Sequence, residues 1–352
     1  MGIDPRTRAR LATTTAALLA AVVTAGTPAG AAEPPAPATP APPATATPAP
    51  PADGEPPATA CGARAPEVLA TAAGTVAERI YASEVKSSEV LSDKHQIESD
   101  GPLLSAMASG DSAAIKAAVH TLVYSHTHIV RLRVSRGSVL LADDGGPYIL
   151  APVSGRLRSH GKEVGHFVFS VQDDLGYVKL ETRFVGAPLV LRTDAGNVPV
   201  EGLVKPGPDT IPDHGPVSYG GTNYEAYSFK ADAYPSGRLR ISLLLPLPAG
   251  LAAKTCEEIK AAEFGLVAQR ISRRFTLSQV AYPPYIKLVH TMTHALVYVR
   301  SGSRTLAGSS RDTPAKLPDS GALSFHGVDY EATSFTAPAS GGSVRVHVLV
   351  PR

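Results

Sequence analysis

An internal repeat in the second half of the chain most constrains what this sequence can fold into. The segment that starts LVLRTDAG at Leu189 aligns without a gap with the segment that starts ALVYVRSG at Ala295, and a Tyr-Glu-Ala run and a Ser-Phe pair recur at matched positions. Both copies alternate apolar and polar residues in short runs bounded by Gly and Pro, as antiparallel strands joined by turns do. We therefore predict two β-meanders, over 189–246 and 295–351.

A helix is predicted between the two copies, over 251–276, because apolar residues recur there at helical spacing, for example at Ile259 and Ile271. The two meanders and this helix would form a second α+β domain, 189–352. The alternative is that the copies are separate half-domains, the first of which completes the sheet of the domain before it.

The first half of the chain begins with predicted helices. A stripe of apolar residues starts after Pro66 and predicts one long helix to about Glu98, which Gly101 and Pro102 would end. Asp111 is a favourable N-cap for a further helix, because its carboxylate can accept hydrogen bonds from the N–H groups of the first turn. Long N-terminal helices therefore precede the first strand.

Five short strands are predicted after His128, where the apolar period changes to two. The last two would be the arms of a long β-hairpin, Gly161 to Phe184, joined by a turn with the sequence QDDLG. In its second arm Tyr177, Lys179 and Arg183 would share a polar face, since successive side chains of a strand point to opposite sides. Helices followed by these strands indicate an α+β unit with an antiparallel sheet.

The order of these elements resembles a known class of sensor domain. The runs IVRLRVSRGSVLLADDGG and GKEVGHFVFSVQDDLGYV, within residues 66–188, are similar to the PAS-like extracytoplasmic sensor domains of the Cache class (PDC sensors) of bacterial kinases and chemoreceptors. The resemblance implies a domain over 61–188, a small ligand held between sheet and covering loops, and a long helix that reports occupancy. The repeated segment YEAxSF is similar to sensor regions of actinobacterial-type kinases.

Cationic and aromatic side chains on the predicted strands are the candidate ligand-binding residues. They are Arg131 and Arg133 on the first strand, Tyr148 at the start of the third, and Tyr177, Lys179 and Arg183 on the second arm of the hairpin. Arginine offers a planar fork to carboxylate or phosphate oxygens, and lysine offers a point charge. If these side chains face one side of the sheet, they would bind a small carboxylate-bearing molecule. The alternative is a solvated outer face.

No catalytic signature accompanies these residues. The chain contains no G-x-S-x-G, H-E-x-x-H or C-x-x-C motif. His126 and His128 share a side of an extended segment and could clamp a metal, but no third ligand lies nearby in the sequence. We expect a binding protein that is not an enzyme and uses no cofactor or metal. The alternatives are a structural or adhesion module of the cell envelope, and a secreted hydrolase whose active site is not evident from the sequence.

The N-terminus indicates export. Residues 1–31 contain an Arg-bearing start, an apolar run and an Ala-Gly-Ala site, the three parts of a secretory signal peptide. Residues 32–60 form a Pro/Ala-rich linker that is predicted to be disordered and to favour polyproline II. We predict a secreted, extracytoplasmic protein with a cleaved signal; the alternative is an uncleaved N-terminal anchor.

The chain contains two cysteines, Cys61 and Cys256. Export to an oxidising compartment would allow them to form a disulfide. The alternative is two separate buried thiols.

The charge of the chain limits its partners. The net charge of +2 is contributed by residues 1–31, which hold three Arg and one Asp, so the exported part is close to neutral. A neutral chain lacks the basic surface that nucleic acids require. The expected partners are a small molecule and a membrane-bound signalling protein.

Overall fold

The computed structural model describes residues 59–126, 128–146, 149–171, 174–194, 196–197, 211–234 and 237–352. The predicted signal peptide, residues 32–58 of the predicted linker and the candidate residue Tyr148 lie outside these ranges. Within them, helices and several antiparallel sheets confirm the predicted α+β class. No helix in the described ranges is both long enough and apolar enough to span a membrane.

The α-helices of the described residues are α1 (Ala65–Glu84), α2 (Ser88–Ser99), α3 (Gly101–Ser109), α4 (Ser112–Ser125), α5 (Asp174–Phe184), α6 (Cys256–Ser272) and α7 (Tyr282–Thr293). Single 3-10 turns precede α1 at Gly62–Arg64 and α6 at Leu251–Ala253.

Side-chain caps set the boundaries of the N-terminal helices. The prediction of one helix from Pro66 to Glu98 is wrong, because Ser87 accepts a hydrogen bond from the Val90 N–H and starts α2. Asp100 accepts from Leu103 in the same way, so α3 begins where a break was predicted. The predicted N-cap at Asp111 is confirmed: its carboxylate accepts hydrogen bonds from the N–H groups of Ala113 and Ala114 in the first turn of α4.

Three antiparallel sheets contain the strands of the described residues. Sheet 1 comprises β1 (Arg131–Arg136), β2 (Val139–Gly145), β4 (Val153–Ser159) and β5 (Lys162–Ser170). Sheet 2 comprises β3 (Ile149–Leu150), β6 (Leu189–Thr193), β7 (Gly196–Asn197), β8 (His214–Tyr219), β9 (Thr222–Tyr234) and β10 (Gly237–Pro246). Sheet 3 comprises β11 (Leu296–Ser301), β12 (Arg304–Gly308), β13 (Ser320–Phe325), β14 (Val328–Ala339) and β15 (Gly342–Pro351).

The three sheets have one strand order. Sheet 3 runs β12-β11-β15-β14-β13, and sheet 2 runs β7-β6-β10-β9 with β8 paired to β9. Sheet 1 runs β2-β1-β5-β4, which is the same order without the last strand. The short strand β3, which precedes β4 in the chain, pairs instead with β9 of sheet 2.

Two separate hydrophobic cores hold these layers together. Helices α2, α3 and α4 cover one face of sheet 1, where Leu132, Phe167 and Phe169 are fully buried. Burial of each of these side chains contributes roughly 1.5–3 kcal/mol of transfer free energy. The second core contains α1, α5, α6 and α7 with the inner faces of sheets 2 and 3. The predicted disulfide between Cys61 and Cys256 is present and joins the segment before α1 to α6.

The prediction of a strand as the second arm of the hairpin is wrong, because residues 174–184 form helix α5. Its buried side chains recur at the three-to-four residue period of a helix and not at the two-residue period of a strand; they are Tyr177, Val178, Leu180, Glu181 and Phe184. They pack in the second core, as does α1, although both helices fall within the predicted first domain, 61–188.

Candidate functional site

The candidate site is the outer face of sheet 1, which we define as the face that points away from α2, α3 and α4. Leu132 and Val134 of β1 point into the core, so the alternating residues Arg131 and Arg133 lie on the outer face. Both arginines were predicted as ligand-binding residues, and β1 brings them together on one side.

Asp143 of β2 lies between these two guanidinium groups. Arg131 donates from Nε to Asp143 Oδ1 and from Nη2 to Oδ2, both at 2.7 Å, and from Nη1 to the Gly146 carbonyl at 2.9 Å. Arg133 Nε lies 3.0 Å from Asp143 Oδ2 without the alignment of a hydrogen bond, so this contact is an ion pair. The side chains of Arg131, Arg133 and Asp143 are only 15%, 13% and 19% exposed. These three charged side chains are therefore largely shielded from solvent, whereas Ser154 and Arg156, on the same face, are exposed.

Sheet 3 has the same local geometry but different chemistry. The turn glycines Gly137 and Gly302 have φ of 57° and 56°, and a register shift precedes each turn at the matching step. These two landmarks align Arg131 with Leu296, Arg133 with Tyr298 and Asp143 with Gly308. The position of each side chain on the outer face can thus be compared directly.

Apolar packing seals the outer face of sheet 3. The Tyr298 ring lies over Gly308, where an added Cβ would come within 2.6 Å of the ring, and the Tyr298 hydroxyl donates to the Asp312 carbonyl at 3.1 Å. Tyr298 is fully buried and clusters with Tyr330 and Leu349. A glycine opposite an aromatic ring makes a closed core, whereas a carboxylate opposite an arginine makes a polar surface.

Matched residues of the sequence repeat hold the segments that cover sheets 2 and 3. Arg240 pairs with Asp213 at 2.7 Å, and Arg345 pairs with Asp319 at 2.9 Å. Ser334 also donates to the Asp319 carbonyl and carboxylate. These repeated polar residues are explained by the attachment of covering segments to each sheet.

A groove of about 700 Å³ lies beside the outer face of sheet 1, along β4 and α2. It is lined by Lys94, Glu98, Ser154, Gly155, Arg156, Arg158 and His166. Ser154 pairs with Val168, and Val168 pairs with Arg133, so the groove begins two strands from that arginine, about 10 Å at ordinary strand spacing.

Helix α5 carries the other described candidate residues and places them away from this face. The Tyr177 hydroxyl is fully buried and donates to Glu181 Oε1 at 2.8 Å, and burial raises the Tyr177 pKa well above its usual value. Lys179 is exposed. Arg183 is partly buried, and its pKa is lowered by desolvation and by Arg274.

Sequence reasoning missed Asp143, Arg156 and His166. Asp143 lies on β2 and Arg156 on β4, and neither was among the candidate residues named from the sequence. The sequence has the pattern Arg-x-Arg, then a glycine turn, then a second apolar run that ends in Asp. This pattern would have indicated that Asp143 lies opposite Arg133 in a pair of strands.

Within the ranges that the structure describes, no three His, Cys, Asp or Glu side chains converge on a possible metal position. His126 is hydrogen-bonded to the Gln96 side chain, and His128 Nδ1 lies 3.9 Å from Glu89 Oε2.

Comparison with known proteins gives only distant similarities. No protein-family model matches the chain, and no curated protein matches it. The ligand-binding domain of the Pseudomonas fluorescens chemoreceptor CtaA, solved in complex with L-alanine, is 13% identical over 50% of this chain and 94% of that domain, with a TM-score of 0.29. The periplasmic domain of Vibrio cholerae LuxQ is 9% identical over 82% of this chain and 97% of that domain, with a TM-score of 0.14.

Proposed function

We propose that this protein is an extracytoplasmic sensor that binds a small carboxylate-bearing molecule on the outer face of sheet 1 and acts through a membrane-bound partner, without catalysis. The observation that carries the proposal is the placement of Arg131, Arg133 and Asp143, largely buried, where the equivalent sheet has Leu296, Tyr298 and Gly308. This choice of residues supports a role in recognition.

The chemistry of the arginines supports an anionic ligand. Each guanidinium carries N–H donors in a planar fork. Arg131 and Arg133 bring two such forks to one face of the sheet. The two oxygens of a ligand carboxylate match the geometry of the fork better than a single neutral acceptor does.

Helix α1 is the element that we propose to report occupancy. The Tyr81 hydroxyl accepts a hydrogen bond from the Ala151 N–H at 2.8 Å and donates to the Asp232 carbonyl at 2.5 Å. Ala151 follows β3, which pairs with β9 of sheet 2, and lies two residues before β4 of sheet 1, and Asp232 belongs to β9. A ligand that shifts the segment before β4 would thus act on α1 through one side chain.

The test is thermal unfolding of the exported chain with a panel of small carboxylates, each paired with its neutral primary amide. We expect at least one acid to raise the melting temperature and its amide to leave it unchanged, because a ligand at 100 times its Kd stabilises the folded state by about 2.7 kcal/mol. Mass spectrometry of the natively purified protein should reveal a bound acid. A panel without any effect, together with an empty native protein, would refute the proposal.

A further inference from the structure

Among the described residues, sheet 1 has no counterpart of the fifth strand that both equivalent sheets possess. In sheet 2, β8 pairs with the outer edge of β9, and in sheet 3, β13 pairs with the outer edge of β14. β4 occupies the corresponding place in sheet 1, and among the described residues only β5 pairs with it. An edge strand of this kind presents backbone N–H and C=O groups to which another chain can pair.

The groove described above lies along this edge. Ser154, Gly155, Arg156 and Arg158 of β4 form one wall, and Lys94 and Glu98 of α2 contribute to the other. β4 spans seven residues, which is enough to pair with an added strand of common length, about five or six residues. In the part of the chain that the structure describes, a groove therefore lies where β8 and β13 lie in the other sheets.

The charge of the groove selects the occupant. Its lining residues include the cations Lys94, Arg156 and Arg158 and the carboxylate Glu98, which lies 4.0 Å from Lys94 Nζ. Arg156 also lies 3.6 Å from Glu163, but both side chains are exposed, so solvent weakens this pair. An extended segment with acidic side chains complements this surface. A second copy of the chain does not, because antiparallel pairing of two β4 edges would bring like charges together.

We infer that the outer edge of β4 is a docking site for an extended acidic segment of a partner protein, which adds a fifth strand to sheet 1 in the position of β8 and β13. Backbone hydrogen bonds to β4 supply affinity, and Lys94, Arg156 and Arg158 select acidic side chains. The site does not require the carboxylate ligand of the proposed function.

The experiment uses fluorescent nine-residue peptides that alternate Val or Thr with Glu, titrated with the exported chain and followed by anisotropy. Two control peptides carry either Lys in place of every Glu, or the acidic sequence with N-methyl groups on alternate residues, which block strand pairing. We expect the acidic peptide to bind and both controls to bind at least about tenfold more weakly. Hydrogen exchange should become slower in β4 when the acidic peptide is bound.

Charge reversal in the protein gives the matching test. Arg156→Glu with Arg158→Glu should weaken binding of the acidic peptide at least about tenfold, whereas Arg304→Glu with Lys316→Glu, two exposed cations elsewhere, should leave it unchanged. Circular dichroism reports whether each variant folds. If a variant does not fold, the N-methylated peptide tests strand pairing with the wild-type protein.

Three outcomes would overturn the inference. The first is absence of binding up to about 1 mM acidic peptide. The second is equal binding of the acidic peptide and its N-methylated form, which would indicate charge attraction without strand pairing. The third is a dimer in analytical ultracentrifugation that Arg156→Glu with Arg158→Glu abolishes, which would assign the edge to a second copy of the chain.

Discussion

The outer faces of sheet 1 and sheet 3 have matching backbone geometry but different side chains. Both have the same strand order, a glycine turn after the first strand and a register shift at the same step. Leu296, Tyr298 and Gly308 close the face of sheet 3 as a core, whereas sheet 1 places charged residues at these positions. The same strand pattern can therefore carry an apolar or a charged outer face, depending on a few outward side chains.

The energetics of the two faces also differ. Apolar burial in sheet 3 stabilises the fold, while a buried ion pair gains little, because the desolvation of both charges offsets their attraction. The ion pairs of Arg131 and Arg133 with Asp143 are therefore expected to add little to the net stability of the fold. The binding role that we propose would account for their presence.

The largest expected effect is on sheet 3. Tyr298→Ala should lower the free energy of unfolding by about 3–5 kcal/mol, because it leaves a cavity and removes the hydrogen bond to Asp312. Chemical denaturation followed by circular dichroism measures this loss. Arg133→Ala, at the equivalent position, should change stability much less. Equal losses for the two variants would mean that the two outer faces do not differ in their contribution to stability.

Glu181 tests whether buried charge is tolerated away from the outer face of sheet 1. Burial raises its pKa from 4.5 to about 8, the Tyr177 hydrogen bond lowers it, and nearby Glu84 raises it. Since the folded state holds this proton more tightly than the unfolded state, its contribution to stability is complete below pH 4.5 and is lost as pH rises toward 8.

The stability of wild type relative to Glu181→Gln should therefore fall by about 3 kcal/mol between pH 4.5 and pH 7. Denaturant titrations of both proteins across this range give the difference. A constant difference would mean that Glu181 is ionised at neutral pH.

A smaller effect is expected from Arg131→Lys. The substitution keeps the charge but removes the planar fork, which is held in place by Asp143 and which we propose to bind the ligand. Carboxylate binding should therefore weaken by about 1.5–3 kcal/mol, one to two decades in Kd. Calorimetric titration measures the change. Arg304→Lys on exposed β12 is the control and should bind like wild type. Unchanged affinity of the Arg131 variant would remove this residue from the site.

The smallest effect is expected from Lys179→Ala. This exposed residue lies on α5, away from the outer face of sheet 1, so stability should change by no more than about 0.5 kcal/mol and ligand affinity should not change. A melt with and without ligand checks both. Loss of the ligand-induced shift would restore the site that the sequence predicted on this segment.

Particular residues show what the sequence could reveal. The Asp111 cap, the disulfide and the inward alternation of β1 were predictable, because each depends on local chemistry or on a short pattern. Helix α5 was not predictable from its sequence. The residues from Tyr177 to Phe184 fit both an alternating strand and a helix, in which residues four positions apart, such as Tyr177 and Glu181, are neighbours. Packing against the second core decides between them.

The candidate site was only partly predictable for a related reason. Arg131 and Arg133 share a face by strand alternation alone, but Asp143 becomes their partner through the register of β1 with β2. The similarity of sheet 1 to the repeated sheets was not evident either, since the outward residues that would reveal it are those that differ.

The central claim is that outward side chains make sheet 1 a carboxylate site. The most direct test is a variant with Arg131→Leu, Arg133→Tyr and Asp143→Gly, which gives sheet 1 the residues of sheet 3, titrated calorimetrically with the acid that most raises the wild-type melting temperature. We predict a folded protein of similar or greater stability that gives no heat of binding. Binding of the acid with wild-type affinity would contradict the account.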